Sequence, residues 1–176
     1  MNLLLFGFKR CGKTYLGLKV AQKMHMHFLD TDQMIEDLFT ARHHKTLTCR
    51  EIVHDHGIHF FRELEKQVIY SLENTTNTVV ALGGGSVLDQ GNVEHLKTVG
   101  TLIYLKTDKN ILKERILSGQ LPFYINPKDA QGSFEAMYQE RQPIYEKIPS
   151  LVINTSHERE EDIIDKLCAF ITALRS

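Results

Sequence analysis

Cysteine is scarce in this chain of 176 residues, which contains only three cysteines. The number of cysteines is odd, and the three residues, Cys11, Cys49 and Cys168, are widely separated in the sequence. Neither property is typical of a disulfide framework or of a zinc site built from cysteines. Because such cysteine usage is typical of a reducing compartment, we expect the protein to be cytoplasmic.

An excess of charge of one sign is also missing, as are long hydrophobic runs. The 21 Lys and Arg residues nearly balance the 22 Asp and Glu residues, for a formal net charge of −1. We therefore expect no nucleic-acid or membrane partner, and any bound anion must be held by a local site. The apolar runs, such as residues 3–6, are too short to span a membrane. Lys9 and Arg10 follow that run instead of preceding a longer one, which is unlike a signal peptide.

The sequence does contain short apolar segments that alternate with segments of helical periodicity. Strands are expected over residues 2–6, 26–29, 78–82, 100–105 and 151–154. Helices are expected over about 13–24, from about 33, from a capping box at residues 48–51, after Gly57, and over about 92–97, 108–117 and 133–146. A second capping-box pattern at residues 155–158 precedes the last helix. This order predicts one α/β domain over residues 1–176, with a mostly parallel sheet and helices on both faces.

Three distinctive loops follow predicted strands, at Gly7, Asp30 and Gly83. In an open parallel sheet, ligands bind beyond the carboxyl ends of the strands. We therefore expect these three loops to meet at one edge of the sheet and to form the functional site there.

The first of these loops, from Gly7 to Thr14, matches the phosphate-binding pattern G-x-x-x-x-G-K-[ST] between a strand and a helix. The backbone N–H groups of such a loop surround phosphates, and the helix N-terminus adds partial positive charge. The lysine reaches the β- and γ-phosphates, and the hydroxyl binds Mg²⁺. We expect ATP to contact Gly7, Lys9, Arg10, Cys11, Gly12, Lys13, Thr14 and Tyr15.

Two further expectations concern individual side chains of this loop. Without a nucleotide, Lys13 should be exposed. The positive surroundings of Cys11 should favour its thiolate, so thiol reagents should modify it and bound ATP should protect it. The alternative interpretation of Cys11 is a small residue that simply fits the loop.

The second and third loops carry two carboxylates and three glycines. Asp30 and Asp32 lie two residues apart just past a strand, which suits a magnesium shell and a substrate hydroxyl, or else a helix N-cap. Residues 83–85 are Gly-Gly-Gly, more than a plain turn needs, which indicates close approach of the backbone to a ligand. The strand before Gly83 does not end in a magnesium-binding aspartate, and no base-reading Asn/Thr-Lys-x-Asp sequence is present, so a regulatory GTPase is disfavoured.

Taken together, these motifs resemble those of the shikimate kinases, in family order and at similar spacing over nearly the whole chain. The matching segments are the phosphate-binding loop, Leu29–Asp32, Phe61–Glu65, Leu82–Gly85 and Glu140–Tyr145. The resemblance implies ATP-dependent phosphorylation of the 3-hydroxyl of shikimate, a step towards chorismate and the aromatic amino acids. It also implies a nucleoside monophosphate kinase-like fold with five parallel strands, a mobile lid at about 118–129 and substrate-binding helices at about 31–62.

The resemblance assigns roles to individual residues. Lys13 and Asp32 are implied to be catalytic, with Asp32 orienting the substrate hydroxyl or accepting its proton. Mg²⁺ is implied at Thr14 and, through water, at Asp30, with ATP as the co-substrate. Substrate binding is implied for Asp32, Arg62, Gly83, Gly84, Gly85 and Arg141, the two arginines holding the carboxylate of shikimate by planar, forked recognition. Taken singly, either arginine is more typical of a solvated helix face.

The chain departs from the family in its lid. An arginine usually precedes the lid proline and reaches the transferring phosphate, whereas this chain has Leu121 before Pro122. Another cation must then serve that phosphate: Arg115, which the family places near adenine, is the first choice, and Lys9 or Arg10 are alternatives. Lys128 is constrained by two prolines.

Three interpretations remain open from the sequence. The first is a shikimate kinase, expected to act as a monomer. The second is a related kinase for gluconate or a nucleoside monophosphate. The third is a non-catalytic nucleotide-binding module, which Leu121 alone favours.

Overall fold

A computed structural model describes residues 1–175 of the chain. Its strands are Asn2–Phe6 (β1), His27–Asp30 (β2), Thr78–Ala81 (β3), Thr101–Lys106 (β4) and Leu151–Asn154 (β5). They form one five-stranded sheet in the order β2-β3-β1-β4-β5, and every pair of neighbours is parallel. The predicted α/β class and five-stranded parallel sheet are confirmed.

Eight α-helices connect and flank these strands within residues 1–175. They are Lys13–Lys23 (α1), Thr31–His43 (α2), Cys49–His56 (α3), Ile58–Ser71 (α4), Gln90–Val99 (α5), Lys109–Leu117 (α6), Ala130–Lys147 (α7) and Glu160–Arg175 (α8). None of these helices is long and apolar enough to cross a membrane.

Local capping explains two helix starts. Thr48 caps α3 through the predicted box, its side chain accepting from the N–H of Glu51 while the Glu51 carboxylate accepts from the N–H of Thr48. Helix α2 begins at Thr31, two residues earlier than expected, because the Asp30 carboxylate accepts a hydrogen bond from the Asp32 N–H.

The second predicted capping box, at residues 155–158, is wrong. Helix α8 begins only at Glu160. Thr155 instead extends the end of β5: its N–H donates to the Lys106 carbonyl at 2.8 Å, and its hydroxyl lies 2.7 Å from that of Thr107. Thr155 is therefore held by sheet pairing and burial, and it does not cap a helix as the pattern predicted.

The core lies on both faces of the sheet because side chains alternate along each strand. Leu4 and Phe6 of β1 face a cluster with α5, α6 and α7, whereas Leu3 and Leu5 face α1 and α8. Helices α2, α3 and α4 bury a third cluster around Phe39. This third cluster sets α2–α4 beside the carboxyl ends of β2 and β3.

Candidate active site

The phosphate-binding loop connects the end of β1 to the start of α1, as predicted. Gly7 and Gly12 both have positive φ values, 143° and 102°, which side-chain-bearing residues rarely adopt. Gly12 occupies the N-cap position of α1 without a capping side chain. The free N–H groups of the first turn of α1 are therefore available for an anion.

Lys13 is not exposed, contrary to expectation: only 9% of its surface is accessible. Its Nζ donates to the carbonyl oxygens of Gly7 at 3.0 Å and Phe8 at 2.8 Å. Both partners are neutral, and no described carboxylate forms an ion pair with Lys13. The ammonium is thus held at the loop without an acidic group that competes with an incoming phosphate.

Asp30 and Thr14 bring two hard oxygen donors together beside this loop. The Thr14 hydroxyl donates to Asp30 Oδ2 at 2.7 Å, while Asp30 Oδ1 accepts from the Asp32 N–H at 3.0 Å. Asp30 is therefore both a helix cap and part of a polar pair that faces the loop. Such an oxygen pair fits Mg²⁺, which proteins hold through one or two side chains together with substrate phosphates.

Asp32 lies in the first turn of α2, next to Gly83. Burial and the nearby charge of Asp30 raise its pKa, while Lys9 and Lys13 oppose that shift. A Cβ at position 83 would lie 2.5 Å from Asp32 Oδ1. Gly83 is thus required for Asp32 to occupy this site.

The other two glycines of this segment also make room for neighbours. A Cβ at position 85 would lie 2.5 Å from the Arg62 guanidinium. Gly84 lies against the phosphate-binding loop, near the N–H of Lys9, and its carbonyl accepts a hydrogen bond from the Tyr145 hydroxyl. The triple glycine therefore lets Asp32, Arg62 and the phosphate-binding loop approach one another closely.

Glu65 is a site residue that sequence reasoning missed. The resemblance includes it in a matching segment but implies no role for it, yet it is 2% exposed. Its carboxylate accepts from Arg62 Nη1 at 2.5 Å and from the Ser86 hydroxyl at 3.0 Å. Burial raises its pKa, and the Arg62 charge opposes that rise. The i,i+3 spacing of Arg62 and Glu65 in the sequence was the available signal, and the pair fixes the guanidinium of Arg62 in place.

Arg141 differs from Arg62 because it has no acidic partner. It lies on α7, is 8% exposed, and forms none of the ion pairs described in residues 1–175. Its Nε is buried without a hydrogen-bond partner, and the guanidinium lies 4.2 Å from the centre of the Tyr124 ring. An uncompensated buried charge is costly, so this geometry favours an anionic ligand for Arg141.

Two adjoining cavities contain most of the predicted site residues. The first, of about 180 Å³, is lined by residues that include Asp32, Arg62, Glu65, Gly84, Gly85, Leu121, Tyr124 and Arg141. The second, of about 330 Å³, is lined by Lys9, Arg10, Gly12, Lys13, Thr14, Tyr15, Asp30, Asp32, Leu82 and Gly84. Lys9, Arg10, Asp32 and Gly84 line both cavities. A phosphate-binding space thus adjoins a space lined by four arginines, Arg10, Arg50, Arg62 and Arg141.

Cys11 and Arg115 are predicted site residues that line neither cavity. The Cys11 side chain is 1% exposed and packs in the core with Leu3 and Leu5. The expectation that thiol reagents reach Cys11 is therefore wrong, and the interpretation as a small residue that fits the loop is favoured. Arg115 lies beside the loop, with Nη1 3.5 Å from the Arg10 carbonyl oxygen.

Thiol labelling provides a test of this arrangement. In the native protein, Cys49 should react first with an aromatic disulfide reagent, because Cys11 and Cys168 are buried. The reaction should still be slow, since burial and the nearby Asp32 and Glu36 raise the pKa of Cys49. Peptide mass mapping should find Cys11 modified only after unfolding in guanidinium. Modification of native Cys11 as fast as Cys49 would contradict this placement.

The fold and the paired cavities define the class of the protein: a P-loop phosphotransferase with a second, arginine-lined cavity beside the phosphate-binding loop. The chain belongs to the shikimate kinase family, since the family model for shikimate kinase matches residues 9–172. It is therefore an ATP-dependent kinase, as the sequence predicted. Membership of this family favours a shikimate kinase over a gluconate kinase or a nucleoside monophosphate kinase.

Individual relatives agree with the family assignment. A shikimate kinase from Syntrophus aciditrophicus (strain SB) is 34% identical over 94% of this chain and 88% of its own length. Among solved structures, a shikimate kinase from Acinetobacter baumannii in complex with shikimate has a TM-score of 0.86 and 26% identity, covering 98% of this chain and 93% of that one. The shikimate kinase of Bacteroides thetaiotaomicron has a TM-score of 0.82 and 25% identity, covering 98% of each chain. The predicted nucleoside monophosphate kinase-like fold is confirmed.

Proposed function

We propose that this chain transfers the γ-phosphoryl group of ATP to the 3-hydroxyl of shikimate, giving 3-phosphoshikimate and ADP. The observation that carries the proposal is the buried guanidinium of Arg141, which lacks an acidic partner and lies in the cavity next to the phosphate-binding loop. Shikimate is a small carboxylate with hydroxyl groups and supplies the missing anion. Family membership and the shikimate complex of the Acinetobacter baumannii relative support this choice.

The phosphate-binding loop and Lys13 hold the nucleotide in this proposal. The N–H groups of the first turn of α1 bind phosphate oxygens, and the Lys13 ammonium exchanges its two carbonyl partners for the β- and γ-phosphates. Thr14 and Asp30 hold Mg²⁺, which when bound supplies neutralisation of the phosphate charge. Tyr15 is exposed at the rim of the same cavity.

Asp32 and the arginines position the acceptor. Arg62, fixed by Glu65, and Arg141 bind the carboxylate of shikimate and so orient its ring. Asp32, at the junction of the cavities, accepts a hydrogen bond from the reacting hydroxyl. Its raised pKa strengthens it as a proton acceptor, while alignment contributes most to phosphoryl transfer.

The remaining expectations from the sequence form part of the same proposal. Residues 1–176 act as one kinase domain, with α2, α3 and the start of α4 (about residues 31–62) forming one wall of the acceptor cavity. Residues 118–129 form the lid, which covers that cavity through Leu121 and Tyr124. The protein acts in the cytoplasm as a monomer, and light scattering after size exclusion tests the monomeric state.

A coupled ADP-release assay tests the proposal. With ATP and Mg²⁺, ADP release should depend on shikimate and should be at least 100-fold slower with gluconate, AMP or CMP. Methyl shikimate is a matched control because it keeps the hydroxyls but loses the carboxylate. Its KM should be at least tenfold higher than the KM for shikimate. Preference for gluconate or a nucleoside monophosphate would contradict the proposal. Nucleotide binding without any ADP release would favour the non-catalytic module.

A further inference from the structure

We propose that Arg10 of the phosphate-binding loop supplies the cation for the transferring phosphoryl group, and that contacts with the end of α6 and with the lid hold its guanidinium for this purpose. The inference rests on the proposed function and concerns the same reaction. Arg115 was the first choice for this role from the sequence, and the geometry points instead to Arg10.

The first argument is position. The phosphoryl group has to pass from the nucleotide cavity to the acceptor cavity, so the residues that line both cavities surround its path. These residues are Lys9, Arg10, Asp32 and Gly84, of which two are cationic. Arg115 lines neither cavity. The lid itself offers only Lys128 as a cation between residues 118 and 129, and Lys128 is exposed.

The second argument is that the Arg10 guanidinium lies where α6 continues into the lid. Nη1 donates to the Arg115 carbonyl oxygen at 2.9 Å, and Nη2 donates to the Gln120 carbonyl oxygen at 3.3 Å. A Cβ at position 119 would overlap the guanidinium, so Gly119 leaves the space that it fills. The positive group of Arg10 therefore lies against Gly119 and Gln120, the two residues that precede Leu121 in the chain.

The third argument is that the charge of Arg10 is not matched by an acid. Its described hydrogen bonds go to neutral carbonyl groups, and none of the ion pairs described for residues 1–175 includes it. Lys9, the other cation at the junction, lies near enough to Asp32 to lower the pKa of that carboxyl. Arg10 is thus a cation at the junction whose charge remains available to an added anion.

The fourth argument is backbone strain. Arg10 has a φ of 66°, in the left-handed region that disfavours residues with a Cβ. Glycine would occupy this position without strain. Strained residues with side chains are concentrated at functional sites, and here the strained residue carries the cation.

In the reaction, Arg10 changes no covalent bond. The 3-hydroxyl oxygen of shikimate forms the new P–O bond, the bridging oxygen leaves with ADP and its bond electrons, and the hydroxyl proton passes to Asp32 or solvent. Negative charge on the transferring group is neutralised by the guanidinium of Arg10. Because that guanidinium is bonded to the carbonyl oxygens of Arg115 at the end of α6 and of Gln120 in the lid, it ties the lid to the phosphate-binding loop.

Four substitutions, one of them made in two backgrounds, test the proposal through kcat and KM. Arg10→Gly should lower kcat at least 30-fold with a KM for shikimate within threefold, and its Tm should not fall because the strained φ is relieved. Gly119→Ala should lower kcat at least threefold, since it displaces the guanidinium without changing any charge. Leu121→Arg should raise kcat at least tenfold in the Arg10→Gly background and less than threefold in the wild type. Lys128→Ala, the matched lid control, should stay within twofold.

The outcomes separate this proposal from the proposed function. If Arg10→Gly retains more than a third of the wild-type kcat, or if Leu121→Arg fails to restore it, the role of Arg10 is overturned. If Arg10→Gly raises only the KM for ATP, Arg10 contributes to ordinary nucleotide binding. That result would also overturn the role of Arg10 in phosphoryl transfer. Wild-type protein without shikimate-dependent ADP release would instead overturn the proposed function itself.

Discussion

Replacing Lys13 by methionine is expected to lower kcat by about 10²–10³-fold, the effect of removing one well-placed donor to a developing charge. The Lys13 ammonium lies at the phosphate-binding loop, bonded to the Gly7 and Phe8 carbonyl oxygens. Methionine has a similar length and fills the same buried space, but it has no charge and no donor. Steady-state ADP release with saturating ATP and shikimate measures the loss.

The stability of the Lys13→Met variant should change little, although Lys13 is buried. The substitution removes a buried charge, which favours the folded state, and leaves two carbonyl groups without their donor, which costs about 1–3 kcal/mol. These opposing effects should leave Tm within a few degrees of the wild type. Lys23→Met is the matched control on the same helix, because Lys23 forms an exposed ion pair with Asp165, and it should keep kcat within twofold. Retention of more than a tenth of the wild-type kcat by Lys13→Met would contradict the role of Lys13.

Replacing Arg141 by lysine is expected to raise the KM for shikimate by about 10–150-fold, corresponding to about 1.5–3 kcal/mol for a charge-assisted hydrogen bond. Lysine keeps the positive charge but loses the planar fork and its stacking on the Tyr124 ring. The KM for ATP should stay within about twofold, since Arg141 lines the acceptor cavity and not the nucleotide cavity. Initial rates with each substrate varied in turn measure both values.

Arg62→Lys should also raise the KM for shikimate, but by less than Arg141→Lys does. The Arg62 guanidinium already pairs with the buried Glu65, and a lysine at this position retains some of that pairing. Arg159→Lys is the matched surface control, because Arg159 pairs only with Asp162 at an exposed site, and it should leave both KM values unchanged. An equal rise in the KM for ATP and for shikimate would exclude a specific carboxylate contact at Arg141.

Several parts of the molecule were determined by the sequence alone because short-range interactions specify them. The phosphate-binding loop needs glycines with positive φ followed by Lys13 and Thr14, all within eight residues. The cap at Thr48 uses partners three residues apart, and the break at Gly57 lies where its φ of 85° ends α3. The alternation of apolar strands with helices fixed the parallel sheet because each crossover places a helix on a face.

Tertiary structure decided how the charged side chains are partnered. Thr155 fits a capping pattern locally, but sheet pairing with Lys106 takes precedence. Lys13 and Cys11 lie in a positively charged loop, and the sequence predicted that both would be accessible. The fold instead buries both side chains and gives the Lys13 ammonium carbonyl partners. Neither burial nor the absence of a partner can be derived from neighbours in the sequence.

The same limit applies to the site as a whole. The sequence placed Arg62, Arg141 and Asp32 in one site, but only the fold shows that Arg62 is neutralised by Glu65 while Arg141 is not. The contacts of Arg10 with the end of α6 and with the lid join residues 105 and 110 positions apart in the chain. Contacts over such separations depend on the packing of whole helices and strands, so the sequence determined which groups are available and the tertiary structure decided which of their charges are left for a ligand.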